Sequence, residues 1–165
     1  ADPRDGRSGE IIRLEAPPDL LASRVKRVGF TPSADEISIQ DAEIVVTAGR
    51  GIKRGDNIAM VAELAETLGA ALGATRDVVD RGWMSYPRQV GLSGKTVTPK
   101  LYVAVGLSGS IQHIAGMGTS EHIIAINNDP DAQIFQIAEL GLVGDLFEIV
   151  PILTRKLREA IAKTH

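Results

Sequence analysis

From Asp41 onward, short apolar runs alternate with segments of helical periodicity, the signature of βαβ units and a parallel sheet. Ile44-Val45-Val46 reads as a buried strand that ends in Ala48-Gly49-Arg50-Gly51. The helix after it carries Ile58, Val61, Leu64, Ala65 and Leu68 at steps of three and four; Asp56 or Asn57 can cap it, and Gly69 stops it. A short run over 70–74 is the next strand, and Thr75-Arg76-Asp77 leads into a helical turn at Val78 and Val79. Leu101-Tyr102-Val103-Ala104-Val105 is the clearest buried strand, followed by Gly106-Leu107-Ser108-Gly109 and a helix over 110–115. His122-Ile123-Ile124-Ala125-Ile126 closes on the turn residues Asn127-Asn128-Asp129-Pro130. A helical stretch over 133–138, a strand over 146–150 and a final helix opened by Pro151 complete the pattern, with Leu153, Leu157, Ala160 and Ile161 on its packing face.

Before Asp41 the pattern differs. The polar stretch 1–9 lacks an initiator Met and reads as a tail or processed terminus. Segments 10–14 and 25–30 carry β-branched residues on either side of Pro17-Pro18 and predict two strands of a small antiparallel arm. The expected architecture is a three-layer α/β/α parallel-sheet, Rossmann-like domain over 41–165, preceded by a tail and β arm over 1–40.

Composition narrows the function classes. With no cysteine, disulfides, thiolate nucleophiles and cysteine-ligated metal centres are excluded. No apolar run approaches the roughly 18 residues of a membrane span, so the chain reads as soluble and cytoplasmic, of bacterial or archaeal type. The net charge of −3 is interspersed and aromatics make up only 4%, which argues against nucleic acid as a partner. Seventeen glycines are the outlier, and their placement at strand ends matters.

Four strands end in small or polar residues, at 49–51, 73–76, 106–109 and 127–129. Ligands of open α/β sheets bind beyond the carboxyl ends of the strands, so a nucleotide crevice is the natural inference, although any parallel sheet needs flexible turns there. Two phosphate motifs fail. After Gly49 and Gly51 the third glycine of the dinucleotide fingerprint arrives one position late, at Gly55. Gly94-Lys95-Thr96 resembles a P-loop end, but Gln89 occupies the place of its first glycine. The three histidines have no metal-ligand spacing, and the nucleophile motif G-x-S-x-G is missing. Ile111 and Ile114 define an apolar face beside which His113 lies, and a lone histidine is more often structural than functional.

Taken together and in order, six segments carry a resemblance: Ala48-Gly49-Arg50-Gly51, Gly73-Ala74-Thr75-Arg76, 89–95, 106–113, Ala125-Ile126-Asn127-Asn128-Asp129-Pro130 and Val143-Gly144-Asp145-Leu146-Phe147. Residues 41 to 157 closely resemble the C-terminal FAD-binding domain of the electron-transfer flavoprotein alpha subunit. The resemblance implies that Arg50 and Thr75 contact the FAD phosphate and ribose region and that Arg76 lies beside the isoalloxazine ring. Val90, Gly91, Leu92 and Ser93 would follow the flavin, with the Ser93 hydroxyl at N5. Ser108, Gly109, Ser110, Ile111, Gln112 and His113 would form the pyrophosphate- and ring-binding turn, with His113 at the flavin O2. Asn127, Asp145 and Leu146 fall at the adenosine end. Leu92 departs from the family's usual Gln, and Ala48 from a common Gly.

The implied function is that of an electron carrier. A cation or donor from His113 and Arg76 would stabilise an anionic flavin semiquinone, and the chain supplies no acid, base or nucleophile of its own. The implied partners are the beta subunit, a dehydrogenase donor of acyl-CoA type, and a quinone oxidoreductase or ferredoxin-type acceptor. The arm before Asp41 would be a remnant of the alpha-subunit N-terminal domain, and faces left uncovered predict a homodimer of the isolated domain. The alternative is a module of the same fold that holds NAD or an adenine nucleotide without flavin chemistry.

Overall fold

Parallel strands β1 (Ile44–Ala48), β2 (Ala71–Ala74), β3 (Leu101–Val105), β4 (His122–Asn127) and β5 (Leu140–Val143) lie in the spatial order β2-β1-β3-β4-β5. This computed structural model describes residues 11–15, 17, 29 and 38–164. The chain divides into two units, 1–35 and 36–165. In the first, residues 11–15 are irregular where the pattern predicts a strand, and Ile11, Ile12 and Leu14 are exposed. A strand needs a hydrogen-bonded neighbour, and these residues have none among those described. The expected partner segment 25–30, Gly29 apart, lies outside the described residues.

The second unit follows the period-two logic of a sheet buried on both faces. Tyr102 and Ala104 enter one core with Val45, Ile123 and Ala125, while Val103 and Val105 enter the other with Val46, Ala48 and Ile126. In register, Val45 lies beside Tyr102, and Tyr102 beside Ile123. Helices α1 (Ile58–Thr67) and α4 (Leu146–Thr164) cover the second core. The first is covered by the 3₁₀ turn Gln133–Gln136 and the chain around Val90, Val97 and Met117, and His113 of the short α3 (Ile111–Ile114) reaches Tyr102 within it.

Two devices set the strand-to-helix geometry. Asn57 stands at the α1 N-cap, but its side chain does not cap; Nδ2 donates to the Ile52 carbonyl at 2.7 Å and ties down the β1–α1 turn. Gly69, at φ +62°, ends the helix region as the pattern predicts. At the β2 edge, Gln89 forms a parallel bridge with Ala74, and the Val90 N–H donates to the Ala74 carbonyl at 2.9 Å. Counting that bridge as a minimal strand between β2 and β3 in sequence gives the spatial order 3-2-1-4-5-6 of dinucleotide-binding sheets.

The C-terminal region corrects the sequence reading. Residues 146–150 are not a strand, and Pro151 does not open the last helix; α4 begins at Leu146 with Pro151 inside it. Leu146, Val150, Leu153 and Leu157 recur at steps of four, three and four and face one core, a helical period that the short apolar run 146–150 concealed. Asp145 starts the helix, its Oδ1 accepting the Phe147 N–H at 2.9 Å. Ala160 and Ile161, expected on the packing face, are exposed because the helix outruns the core. The edge strand β5 went unpredicted, since Leu140-Gly141-Leu142-Val143 is short, half exposed and contains a glycine.

Candidate functional site

The carboxyl ends of the strands open into a cavity of about 890 Å³, at the crevice where sheets of this strand order bind ligands. Its floor is made where the turns after β1 and β3 touch backbone to backbone. The Gly49 N–H donates to the Val105 carbonyl and the Gly51 N–H to the Gly106 carbonyl, both at 2.8 Å. A Cβ on Gly49 would stand 2.4 Å from the Gly106 oxygen, so the close approach requires glycine. Ala48, a departure from the resembled pattern, is the buried last residue of β1 and takes no positive φ.

One wall comes from the turn after β2. Thr75 precedes α2 (Arg76–Asp80) in an extended conformation; its N–H donates to the Ala48 carbonyl at 3.0 Å, and its buried Oγ1 has no hydrogen-bond partner. Arg50 and Arg76 lie at the rim, largely exposed. Arg50 Nε is 3.5 Å from Asp77 Oδ2, and Arg76 Nε is 3.2 Å from Asp80 Oδ2. Arg81 also holds Asp77, at 2.9 Å. Both carboxylates line the cavity, a feature the sequence reading missed although Asp77 at the start of α2 and Asp80 at its end were visible.

The facing wall is the loop 89–95. Gly91, at φ +136°, donates to the Lys95 carbonyl, and Leu92 N–H donates to the Gln112 carbonyl at 2.8 Å. Gln89 Nε2 donates to Ser93 Oγ at 3.0 Å, and the Tyr86 hydroxyl donates to the Ser93 carbonyl at 3.0 Å. The Leu92 side chain is exposed.

His113 reverses its expected placement. It is buried while Ile111 is 77% exposed, because α3 rolls until its 113 face meets the sheet. That roll is locked by Gly116, packed so closely on Gly91 that a Cβ there would lie 2.4 Å from the Gly91 Cα. His113 Nε2 is 2.9 Å from the Tyr102 hydroxyl. Burial pushes the His113 pKa down to about 4, with a hydrogen bond to the Val90 backbone opposing the shift. The imidazole is therefore neutral near pH 7 and is not the cation the sequence reading allowed. Asn127 is buried, its Nδ2 donating to the Leu107 carbonyl at 2.8 Å and its Oδ1 accepting the Asp129 N–H.

Arg50, Thr75, Arg76, Val90, Gly91, Leu92, Ser93, Ser108, Gly109, Ser110, Gln112, His113 and Asn127 thus surround one cavity. Ile111, Asp145 and Leu146 do not line it: Ile111 faces outward, Asp145 caps α4, and Leu146 packs in the core under Gly106. Among the described residues no group of His, Asp and Glu is arranged to hold a metal ion, and no helix is long and apolar enough to cross a membrane.

Residues 38–118 match the family described as the electron transfer flavoprotein FAD-binding domain. The chain belongs to the electron transfer flavoprotein alpha-subunit family. It is 44% identical to the electron transfer flavoprotein subunit alpha of Thermoanaerobacterium thermosaccharolyticum, over 94% of this chain and 47% of that protein. To the Bacillus subtilis subunit alpha it is 46% identical, over 93% of this chain and 47% of that one. To the protein FixB of Azotobacter vinelandii it is 43% identical, over 98% of this chain and 46% of that one. The chain spans about half the length of these family members.

Proposed function

We propose that this cavity binds FAD and that the domain, as part of an electron-transfer flavoprotein alpha subunit, carries electrons rather than converting a substrate of its own. The observation that supports this reading most is convergence: turns from four strand ends, each resembling an FAD loop of the family, line one cavity at the strand-order crevice. Its volume is at the upper end of the usual range for small-molecule pockets, as a dinucleotide needs.

The residues present fit the group. Thr75 Oγ1 is an orphaned hydroxyl at the cavity wall, and the contacting glycine turns leave backbone open to a pyrophosphate. Arg50 and Arg76 sit in exposed ion pairs worth about 1 kcal/mol or less each, so an anionic ligand can recruit them at low cost. Bound FAD would supply the one- and two-electron redox chemistry. The chain would hold and tune it: Ser108 and Ser110 beside the phosphates, Ser93 and His113 beside the ring, Arg76 as the nearby cation. Asp145 and Leu146 would act on the adenosine end by fixing where α4 begins. The partners in this reading are a beta subunit, a dehydrogenase donor of acyl-CoA type, and a quinone oxidoreductase or ferredoxin-type acceptor.

The test is the visible spectrum of the purified protein before and after incubation with FAD and gel filtration, with the released cofactor identified. Stoichiometric co-eluting FAD is the expected result. A protein that takes up NAD or an adenine nucleotide and no FAD would overturn it in favour of a nucleotide module without flavin.

A further inference from the structure

We propose that Tyr102 is the positioning residue for His113: its phenol O–H, reaching from the middle of β3, donates to Nε2 and leaves Nδ1–H as the only hydrogen-bond donor that the imidazole offers the cavity.

The inference rests on the FAD reading for its purpose, but its geometry stands on two contacts, that of Tyr102 with His113 and that of Val90 with Ala74. Tyr102 is fully buried, and its hydroxyl lies 2.9 Å from His113 Nε2. Burial raises the phenol pKa above its ordinary value, with the Thr47 hydroxyl beside it opposing the shift, so the phenol keeps its proton and can donate it. The polarity of the contact is decided at Val90. The Val90 N–H is already donated to the Ala74 carbonyl, so the backbone group left to face the ring is the carbonyl, an acceptor. An acceptor requires an N–H opposite, and it is the Val90 backbone hydrogen bond that favours the protonated ring. The neutral imidazole has one N–H. It belongs on Nδ1, and Nε2 is the acceptor for Tyr102.

Val90 and His113 both line the cavity. An acceptor entering it must therefore share Nδ1–H with the Val90 carbonyl, whereas Nε2 stays occupied from below. Tyr102 thus fixes which ring nitrogen a ligand can use, from a position that does not itself line the cavity.

The test is long-range ¹H–¹⁵N correlation of the histidine side chains in the full chain at neutral pH, for wild type and Tyr102→Phe. The expected wild-type spectrum has a protonated Nδ1 and an unprotonated Nε2 for His113, and the variant loses that single-tautomer signature. A wild-type ring protonated at Nε2 overturns the proposal whatever the variant does, and so does a folded variant with an unchanged tautomer. Adding FAD should move the Nδ1 resonance and leave Nε2 in place; movement of Nε2 alone overturns it. Failure of FAD to bind, with the Nδ1–H tautomer intact, counts against the FAD reading and leaves Tyr102's role standing.

Discussion

Gln89 donates from Nε2 to Ser93 Oγ across 3.0 Å, so the hydroxyl of this cavity-lining serine is engaged as an acceptor from the protein side. With one of its two lone pairs occupied, the serine hydroxyl can still turn its hydrogen toward the cavity, while the Tyr86 hydroxyl steadies the Ser93 carbonyl. Gln89 is buried, so its amide has no water to fall back on. Replacing Gln89 by Ala should cost about 1–3 kcal/mol of stability and also weaken FAD uptake, because the loop loses its anchor. Ser93→Ala should instead alter the flavin reduction potential with affinity nearly kept. Urea denaturation and FAD titration of both variants separate the effects, and equal affinity losses in the two would contradict this division of labour.

The buried His113 predicts an acid-sensitive fold. Its pKa in the folded state is lowered to about 4 from 6.5, so the unfolded chain binds the extra proton first as pH falls. The stabilisation is complete above the unfolded value, drains away between about pH 6.5 and 4, and levels off below. Its size is on the order of 3 kcal/mol. His122 has the opposite sign: its hydrogen bond to Glu139 raises its pKa, so its contribution is present at low pH and lost as pH rises through the folded value. That pair is exposed and screened, so His113 should dominate. Urea midpoints from neutrality down to about pH 4 should fall steeply in wild type and flatten in His113→Gln; parallel slopes would reject the assignment.

Asp145 shows where the sequence was legible and where it was not. Strands β1, β3 and β4 were plain because unbroken apolar runs of three to five residues, 44–46, 101–105 and 123–126, bounded by turn residues fit a strand buried on both faces. The start of α4 was hidden because Pro151 looked like a first helical position, yet Asp145 followed three residues on by Glu148 is an N-terminal signal for a helix at Leu146. His113 was misplaced for a different reason. The orientation of a four-residue helix follows from the contact of Gly116 on Gly91, which no local periodicity encodes. Asp145→Ala should therefore cost about 1 kcal/mol, and Asp145→Asn much less because Asn also caps. Denaturation curves decide it, and equal losses in the two variants would point to the charge instead of the cap.

Asp77 lies between Arg50 at 3.5 Å and Arg81 at 2.9 Å and lines the cavity, so it competes with any anionic ligand for Arg50. The competition is winnable. The side chains are 40–71% exposed, and such pairs contribute little to stability. Asp77→Asn should leave the denaturation midpoint nearly unchanged, because only weak surface attraction is lost. The same change frees Arg50 and removes a negative charge from the cavity wall, so FAD affinity should rise about two- to fivefold at low salt. Salt screens exposed charges over roughly 8–10 Å at physiological strength, so the gain should shrink as salt is added. Flavin fluorescence titrations at low and high salt would measure both. An affinity that falls on Asp77→Asn would mean that the carboxylate orients Arg50 for the ligand, and the pair would then be part of the binding site instead of a competitor to it.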